Sequence, residues 1–200
     1  MIHRFYTLWA PVYDFFAGPL FVEFRRRAVA ALELKAGDRL LIPGVGTGLD
    51  FPYLPRDVEI VGSDLNETML ARARRRADTL GFKVGLETAD AQALTYAGGS
   101  FDRAYLPCIV CVAPEGGKVL SEALRVVKKG GLIVVIDKFL GEGRQPGLAR
   151  RLAEAIAGRI VSHVNRRWSE VAAGASGFTV IKEEAGPLGG FFRMYVLRKD

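Results

Sequence analysis

From about residue 37 the chain alternates short apolar runs with longer segments of helical period, the pattern of a parallel sheet whose strands are joined by crossover helices. Arg39–Pro43, Val58–Ser63, Phe82–Glu87, Phe101–Leu106 and Leu132–Ile136 read as strands. The last is apolar throughout, as a strand covered on both faces must be. Asn66–Leu80 carries Met69, Leu70, Ala73, Ala77 and Leu80 at spacings of three and four, with Asn66 as N-cap and Gly81 as stop. Glu115–Lys129 repeats the pattern and ends in cations followed by Gly130-Gly131. Pro146–Trp168 reads as helical, and Phe178–Glu183 with Phe191–Leu197 as a closing antiparallel pair joined through Gly186–Gly190.

Two hundred residues, half of them apolar, suffice for one core, and the 25% charged fraction argues against disorder. No stretch approaches the roughly 20 apolar residues of a membrane span, and no secretory signal opens the chain, so a cytoplasmic location is expected. Cys108 and Cys111, with only His3 and His163 for company, are too few for a structural metal, and none is expected. The formal charge of +6 suits an anionic partner or simply a solvated basic surface. No appended RNA-binding module or base-amino-group motif is present, so nucleic acid is not an expected partner.

Directly after the first strand comes Gly44-Val45-Gly46-Thr47-Gly48, ahead of a segment that can begin a helix. Glycines let the backbone turn tightly and come close to a ligand, and a helix N-terminus beyond them would favour an anionic group. A glycine cluster is also what a plain turn needs. The dinucleotide fingerprint asks for glycine at its sixth position, where this chain has Leu49. Asp64 ends the second strand and can accept both hydroxyls of a ribose, or merely cap the helix that follows. Asp90 follows the third strand, where its carboxylate can accept an adenine amino group while the Ala91 N–H meets a ring nitrogen, or where, taken alone, it is an ordinary loop aspartate.

The GxGxG loop, Asp64 in VGSDLNETML, Asp90 in TADAQAL, GGSFDRAYLP and VVKKGGLIVVID stand in the order of the class I methyltransferases, which this chain resembles across residues 37–140. The resemblance implies an α/β fold with a Rossmann-like, mostly parallel sheet, an antiparallel C-terminal strand and helices on both faces. It implies S-adenosylmethionine as cofactor, held by Gly44, Val45, Gly46, Thr47, Gly48, Asp64, Leu65, Asp90, Ala91 and Leu106. One position departs from the pattern: two residues before Gly44, where the family usually has an acid that tethers the loop, stands Ile42, followed by Pro43. WAPVYDFFAGPLF, LPCIVCVAPEGGKVLSEALRVVKKGG and IDKF resemble the bacterial phospholipid N-methyltransferases that act on phosphatidylethanolamine, and to a lesser degree the ubiquinone and menaquinone C-methyltransferases.

Residues 1–36 are expected to form an N-terminal helical segment over the methyltransferase domain of residues 37–200. Their aromatic residues interleave with Arg25, Arg26 and Arg27, which suits a segment lying at an anionic membrane surface, a lid over the cofactor, or a core-packing helix with solvated arginines. Pro11 and Pro19 break it into short pieces. By resemblance Tyr6, Tyr13 and Asp14 sit at the pocket mouth, where ring faces attract a sulfonium or ammonium. Methyl transfer asks mainly for alignment, plus a base if the nucleophile is an amine; Asp137, Tyr13 and His163 are the candidates. Three readings compete: a membrane-surface enzyme acting on a lipid headgroup, a soluble enzyme acting on a quinone precursor or other small metabolite, and a cofactor-binding protein without catalysis.

Overall fold

The computed structural model describes residues 21–148, 150, 151, 155, 163 and 165–200. Its first described element is a helix over residues 21–30, α1, which buries Phe21, Phe24, Arg25, Ala28 and Val29, with Leu32 just beyond its end. These positions are three and four apart, so one stripe of the helix faces inward. The rest of the expected N-terminal segment, with Tyr6, Tyr13 and Asp14, lies outside the described residues.

Seven strands form a single sheet in the order β3-β2-β1-β4-β5-β7-β6. They are β1 Arg39–Pro43, β2 Glu59–Asp64, β3 Val84–Thr88, β4 Phe101–Pro107, β5 Val127–Asp137, β6 Phe178–Ala185 and β7 Arg193–Lys199. The first five run parallel, and β7 enters antiparallel between β5 and β6. Alternation along the central strands feeds two cores. Leu40, Ile42, Val134 and Ile136 pack with α1 and with α2 (Glu67–Leu80) on one face. Leu41, Ile133 and Val135 pack on the other with α3 (Gly116–Val126) and the short α4 (Trp168–Ala172).

Several boundaries differ from the sequence expectation, each for a local reason. β3 starts at Val84 rather than Phe82, because the Phe82 N–H closes the end of α2 on the Ala77 carbonyl at 2.8 Å, beyond the left-handed Gly81. α3 stops at Val126 and β5 begins on the next residue, so Lys128 and Lys129 belong to the strand. Lys128 binds Asp102 at 2.5 Å, and the carbonyls ending α3 instead receive Lys199 Nζ, at 2.8 Å on Val127. Of the expected helix Pro146–Trp168, residues 163 and 165–167 are not helical, and Trp168 opens the separate α4; much of the remainder lies outside the described residues. The segment after the glycine loop forms no α-helix, only a 3-10 turn over Phe51–Tyr53, since Pro55 withdraws an N–H that a longer helix needs and favours the extended backbone seen at Leu54.

Candidate functional site

The strand order reverses between β1 and β4, and the crevice at the carboxyl ends of such strands is where open α/β sheets bind ligands. The glycine loop leaves β1 at this point. Gly44, Gly46 and Gly48 all have positive φ, at 68°, 56° and 73°. A Cβ on Gly44 would strike Ile109 at 2.8 Å and one on Gly48 the Phe51 ring at 2.4 Å, whereas one on Gly46 would meet nothing within 4 Å. The outer glycines are therefore required by packing, and the middle one faces open space, as a backbone approached by a ligand must.

The loop is fastened from several sides. The Val45 N–H donates to the Ser63 carbonyl at 2.9 Å, and the Gly46 N–H to Asp64 Oδ2 at 3.0 Å. Arg76 of α2 donates to the Thr47 carbonyl at 2.8 Å and hydroxyl at 3.1 Å. At the loop's far end, Asp50 accepts from Arg25 Nη1 at 2.7 Å and from the Tyr105 hydroxyl at 3.1 Å. Burial works against the Arg25 charge, but the Asp50 carboxylate outweighs it and holds the guanidinium protonated. Burial, reinforced by Asp50, pushes the Tyr105 phenol well up, so it stays a donor. Ile42, in place of an acid, is simply core.

The other expected cofactor residues fall around the crevice. Asp64 Oδ1 accepts the Asn66 N–H at 2.9 Å, and α2 is capped by the Asn66 side chain, which accepts from Thr68 and Met69 N–H groups. Of the two readings of Asp64, the helix cap thus belongs to its neighbour. Leu65 beside it is 52% exposed, a large apolar surface at the end of β2. Asp90 folds its loop into a turn by accepting from the Gln92 N–H at 2.9 Å, and Ala91 is buried next to it. Leu106 is placed differently: its side chain is wholly buried in the core face shared with Val135, so it offers no side chain to the crevice.

Asp137, a candidate base, is fully buried at the end of β5, and its two oxygens accept the Cys111 and Lys138 N–H groups at 2.8 Å each. It ties the loop after β4 to the strand beside it. His163 joins the same loop by donating its backbone N–H to the Cys111 carbonyl at 2.8 Å. Cys108, at a left-handed φ of 57°, opens that loop, and burial, with Asp137 adding to it, pushes its thiol up to about 11. Among the described residues no group of three or more His, Cys, Asp or Glu is placed to hold a metal, and no helix is long and apolar enough to cross a membrane.

Sequence reasoning missed Arg25, Asp50, Tyr105 and Arg76. The one signal for Arg25 is its spacing, four residues after Phe21 and three before Ala28 on the buried stripe of α1, and the two identical residues beside it mask that signal. Of its neighbours, Arg27 pairs with Glu184 at 3.0 Å and Arg26 is exposed.

This fold and crevice define a nucleotide-type binding sheet of the methyltransferase kind, and comparison with known proteins agrees. Residues 41–135 match the methyltransferase domain family. The chain is 35% identical over 158 residues to a phosphatidylethanolamine N-methyltransferase of Cereibacter sphaeroides, covering 78% of this chain and 75% of that one. It is 36% identical over 120 residues to a demethylmenaquinone methyltransferase of Thermus thermophilus, covering 58% of this chain but only 54% of the relative. Among solved structures, geranyl diphosphate C-methyltransferase of Streptomyces coelicolor, in complex with S-adenosyl-L-homocysteine, superposes with a TM-score of 0.73 at 15% identity, over 89% of this chain and 76% of that one. The cyclase SpnF superposes at 0.78 and 18% identity over 99% and 94%, a likeness of fold alone. The chain belongs to the class I S-adenosylmethionine-dependent methyltransferases.

Proposed function

We propose that this protein transfers a methyl group from S-adenosylmethionine to the amine of a phosphatidylethanolamine-type headgroup. The reading of the site rests on the open space over Gly46, bordered by Asp64 and Leu65 at the end of β2 and by Asp90 and Ala91 after β3. The glycine loop, Gly44 to Gly48, lies under the methionine part; Asp64 takes the ribose hydroxyls, Leu65 covers one face of the adenine, and Asp90 with the Ala91 N–H reads its edge. The choice of acceptor is supported by the relative from Cereibacter sphaeroides, whose match spans three quarters or more of both chains.

The cofactor supplies an activated methyl on a sulfonium. The chain's own residues fix the direction of approach and exclude water. With both Asp137 oxygens held by backbone N–H groups, its role in this reading is to position the loop after β4, beside which the acceptor lies, rather than to take a proton. A bilayer-embedded acceptor requires the enzyme to work at the membrane surface, attracted there by its basic excess.

A second reading, a soluble enzyme methylating a quinone precursor or similar metabolite, is favoured by the demethylmenaquinone methyltransferase relatives and by the internal pairing of Arg25 and Arg27. Radiolabelled S-adenosylmethionine, offered with phosphatidylethanolamine vesicles and separately with demethylmenaquinone, decides between them. Label in the lipid carries the first reading; label in the quinone alone replaces it with the second. Cofactor binding without label in any acceptor favours the non-catalytic alternative.

A further inference from the structure

Among the described residues, the two most exposed large apolar side chains are Leu148, at 73%, and Leu188, at 60%. Leu188 lies in the turn that joins β6 to β7, closed by the Gly186 N–H on the Phe192 carbonyl at 2.8 Å, and its backbone is left-handed at φ 57° and ψ 47°. That conformation is disfavoured for a bulky side chain and is ordinarily given to glycine or asparagine. Neither the backbone nor packing favours leucine here, so the side chain answers to something outside the folded chain. Leu148 belongs to the same rim. Arg150, two residues on, donates to the Phe139 and Phe191 carbonyls at 3.0 and 3.1 Å and lies over the Phe191 ring at 4.1 Å, which fastens this segment to the β6–β7 turn. β5 ends and β7 begins there, with Asp137 paired to Arg193, so both leucines stand at the end of the sheet that carries the crevice. β7 is two strands from β4, about 10 Å along the sheet.

The charge around the two leucines has one sign. Arg144, Arg150 and Arg151 lie within residues 143–153 and no acid does, and the turn from Gly186 to Phe192 has none either. Arg144 and Arg151 are exposed, and among the described residues neither side chain meets a carboxylate. Arg25 and Arg27 of α1, by contrast, are taken up by Asp50 and Glu184. A second copy added along the β6 edge is disfavoured, because the ladder is irregular between Val180 and Lys182, and a bulge with a lysine is what keeps an edge from pairing.

We propose that Leu188 and Leu148 form a docking tip that enters the headgroup layer of an anionic bilayer, with Arg144 and Arg151 on lipid phosphates, and so holds the crevice toward the lipid. Its purpose rests on the proposed lipid acceptor. Apolar side chains enter the acyl boundary while arginines beside them stay with phosphate oxygens. Neither attraction is strong alone: two leucines give weak, reversible binding, and two arginines add an attraction that salt removes. Such a tip lets a headgroup amine reach the crevice while its acyl chains stay in the bilayer, and lets the enzyme leave afterwards.

The test is sedimentation of the full chain with phosphatidylcholine vesicles, with and without phosphatidylglycerol, beside transfer of label from S-adenosylmethionine to detergent-dispersed phosphatidylethanolamine. Asparagine and glycine both accept a left-handed backbone, so Leu188→Asn and Leu188→Gly keep the turn, which melting curves check. Each is expected to weaken binding to the anionic vesicles by at least about fivefold, and Leu148→Ser by a similar factor. Arg144→Gln combined with Arg151→Gln should cost about tenfold or more at low salt and little at high salt. Ile181→Ser, on the β6 edge, should change nothing. A wild-type chain that ignores both kinds of vesicle overturns the proposal. So do Leu188 variants that bind as the wild type does, which would put the membrane contact on another part of the chain. So does a concentration-dependent dimer that the Leu188 variants abolish, since a second copy would then be the occupant. Transfer to the dispersed lipid is read separately: it should survive in the Leu188 variants, and its absence in the wild-type protein defeats the acceptor reading whatever the vesicles show.

Discussion

Arg76 on α2 spans to the glycine loop and donates to both oxygens of Thr47, at 2.8 Å to the carbonyl and 3.1 Å to the hydroxyl. The helix that follows Asp64 is thereby fastened to the glycine loop. Arg76→Ala should weaken S-adenosylmethionine binding by about 1.5 kcal/mol, the scale of a charge-assisted hydrogen bond, and move the melting temperature little because the side chain is only half-buried. Calorimetry gives the first number and a melt the second; an unchanged dissociation constant would show the contact to be incidental.

Asp64 has structural duties to the Gly46 and Asn66 N–H groups and a further duty proposed for the ribose. Asp64→Ala should reduce affinity by about 1 to 3 kcal/mol with the fold retained. Comparison with a 2′,3′-dideoxyribose analogue separates the duties: if the substitution costs the analogue as much as it costs the natural cofactor, the ribose assignment is wrong.

The glycines should fail in different ways. Gly46→Val places a side chain in open space at a left-handed φ, and cofactor binding should disappear while the protein stays folded. Gly48→Ala drives a methyl to 2.4 Å from the buried Phe51 ring and should lower stability by about 2 to 4 kcal/mol. A Gly46→Val protein that still binds at wild-type strength would place the ligand elsewhere.

Asp137 separates positioning from proton transfer. In Asp137→Asn an amide faces two backbone donors that need an acceptor, and unfolding free energy should fall by about 2 kcal/mol. The pH dependence of kcat/KM should keep its shape. A stable variant with activity cut by orders of magnitude would restore Asp137 as the base.

Cys108 gives a pH signature. Its thiol, ordinarily at 9.0, is pushed up to about 11 in the folded chain, so between those values the unfolded chain has released a proton that the folded chain retains. Stability must therefore fall as pH rises through that window, and the fall should be smaller in Cys108→Ala. Melting curves from pH 8 to 11 on both proteins check it; identical profiles would mean the thiol is not sequestered.

Much of this was legible because the signals were local. Apolar runs gave β1, β2, β4 and the centre of β5 to within about a residue or two at their shared ends, and Asn66 and Gly81 cap α2 as their chemistry dictates. The glycine loop and Asp64 could be placed because a turn and a strand end are local events. Arg25 was not, since three consecutive arginines look alike until the packing of α1 turns one of them inward. The junction of α3 and β5 was hidden for a similar reason: Lys128 and Lys129 suit a helix C-terminus, and only Asp102 on the adjacent strand draws Lys128 into the sheet. Leu106 stands near the end of β4, where alternation directs its side chain into the core, which a strand-end position alone does not reveal.

The bond between Arg25 and Asp50 also bears on how such a chain can be cut or recombined. The segment that matches the methyltransferase domain begins at residue 41, downstream of α1. A fragment started there would keep every glycine of the loop and yet strand the Asp50 carboxylate in an apolar interior with only the Tyr105 hydroxyl against it. The smallest transplantable unit is therefore larger than the matched block, because it must bring its own counter-ion along.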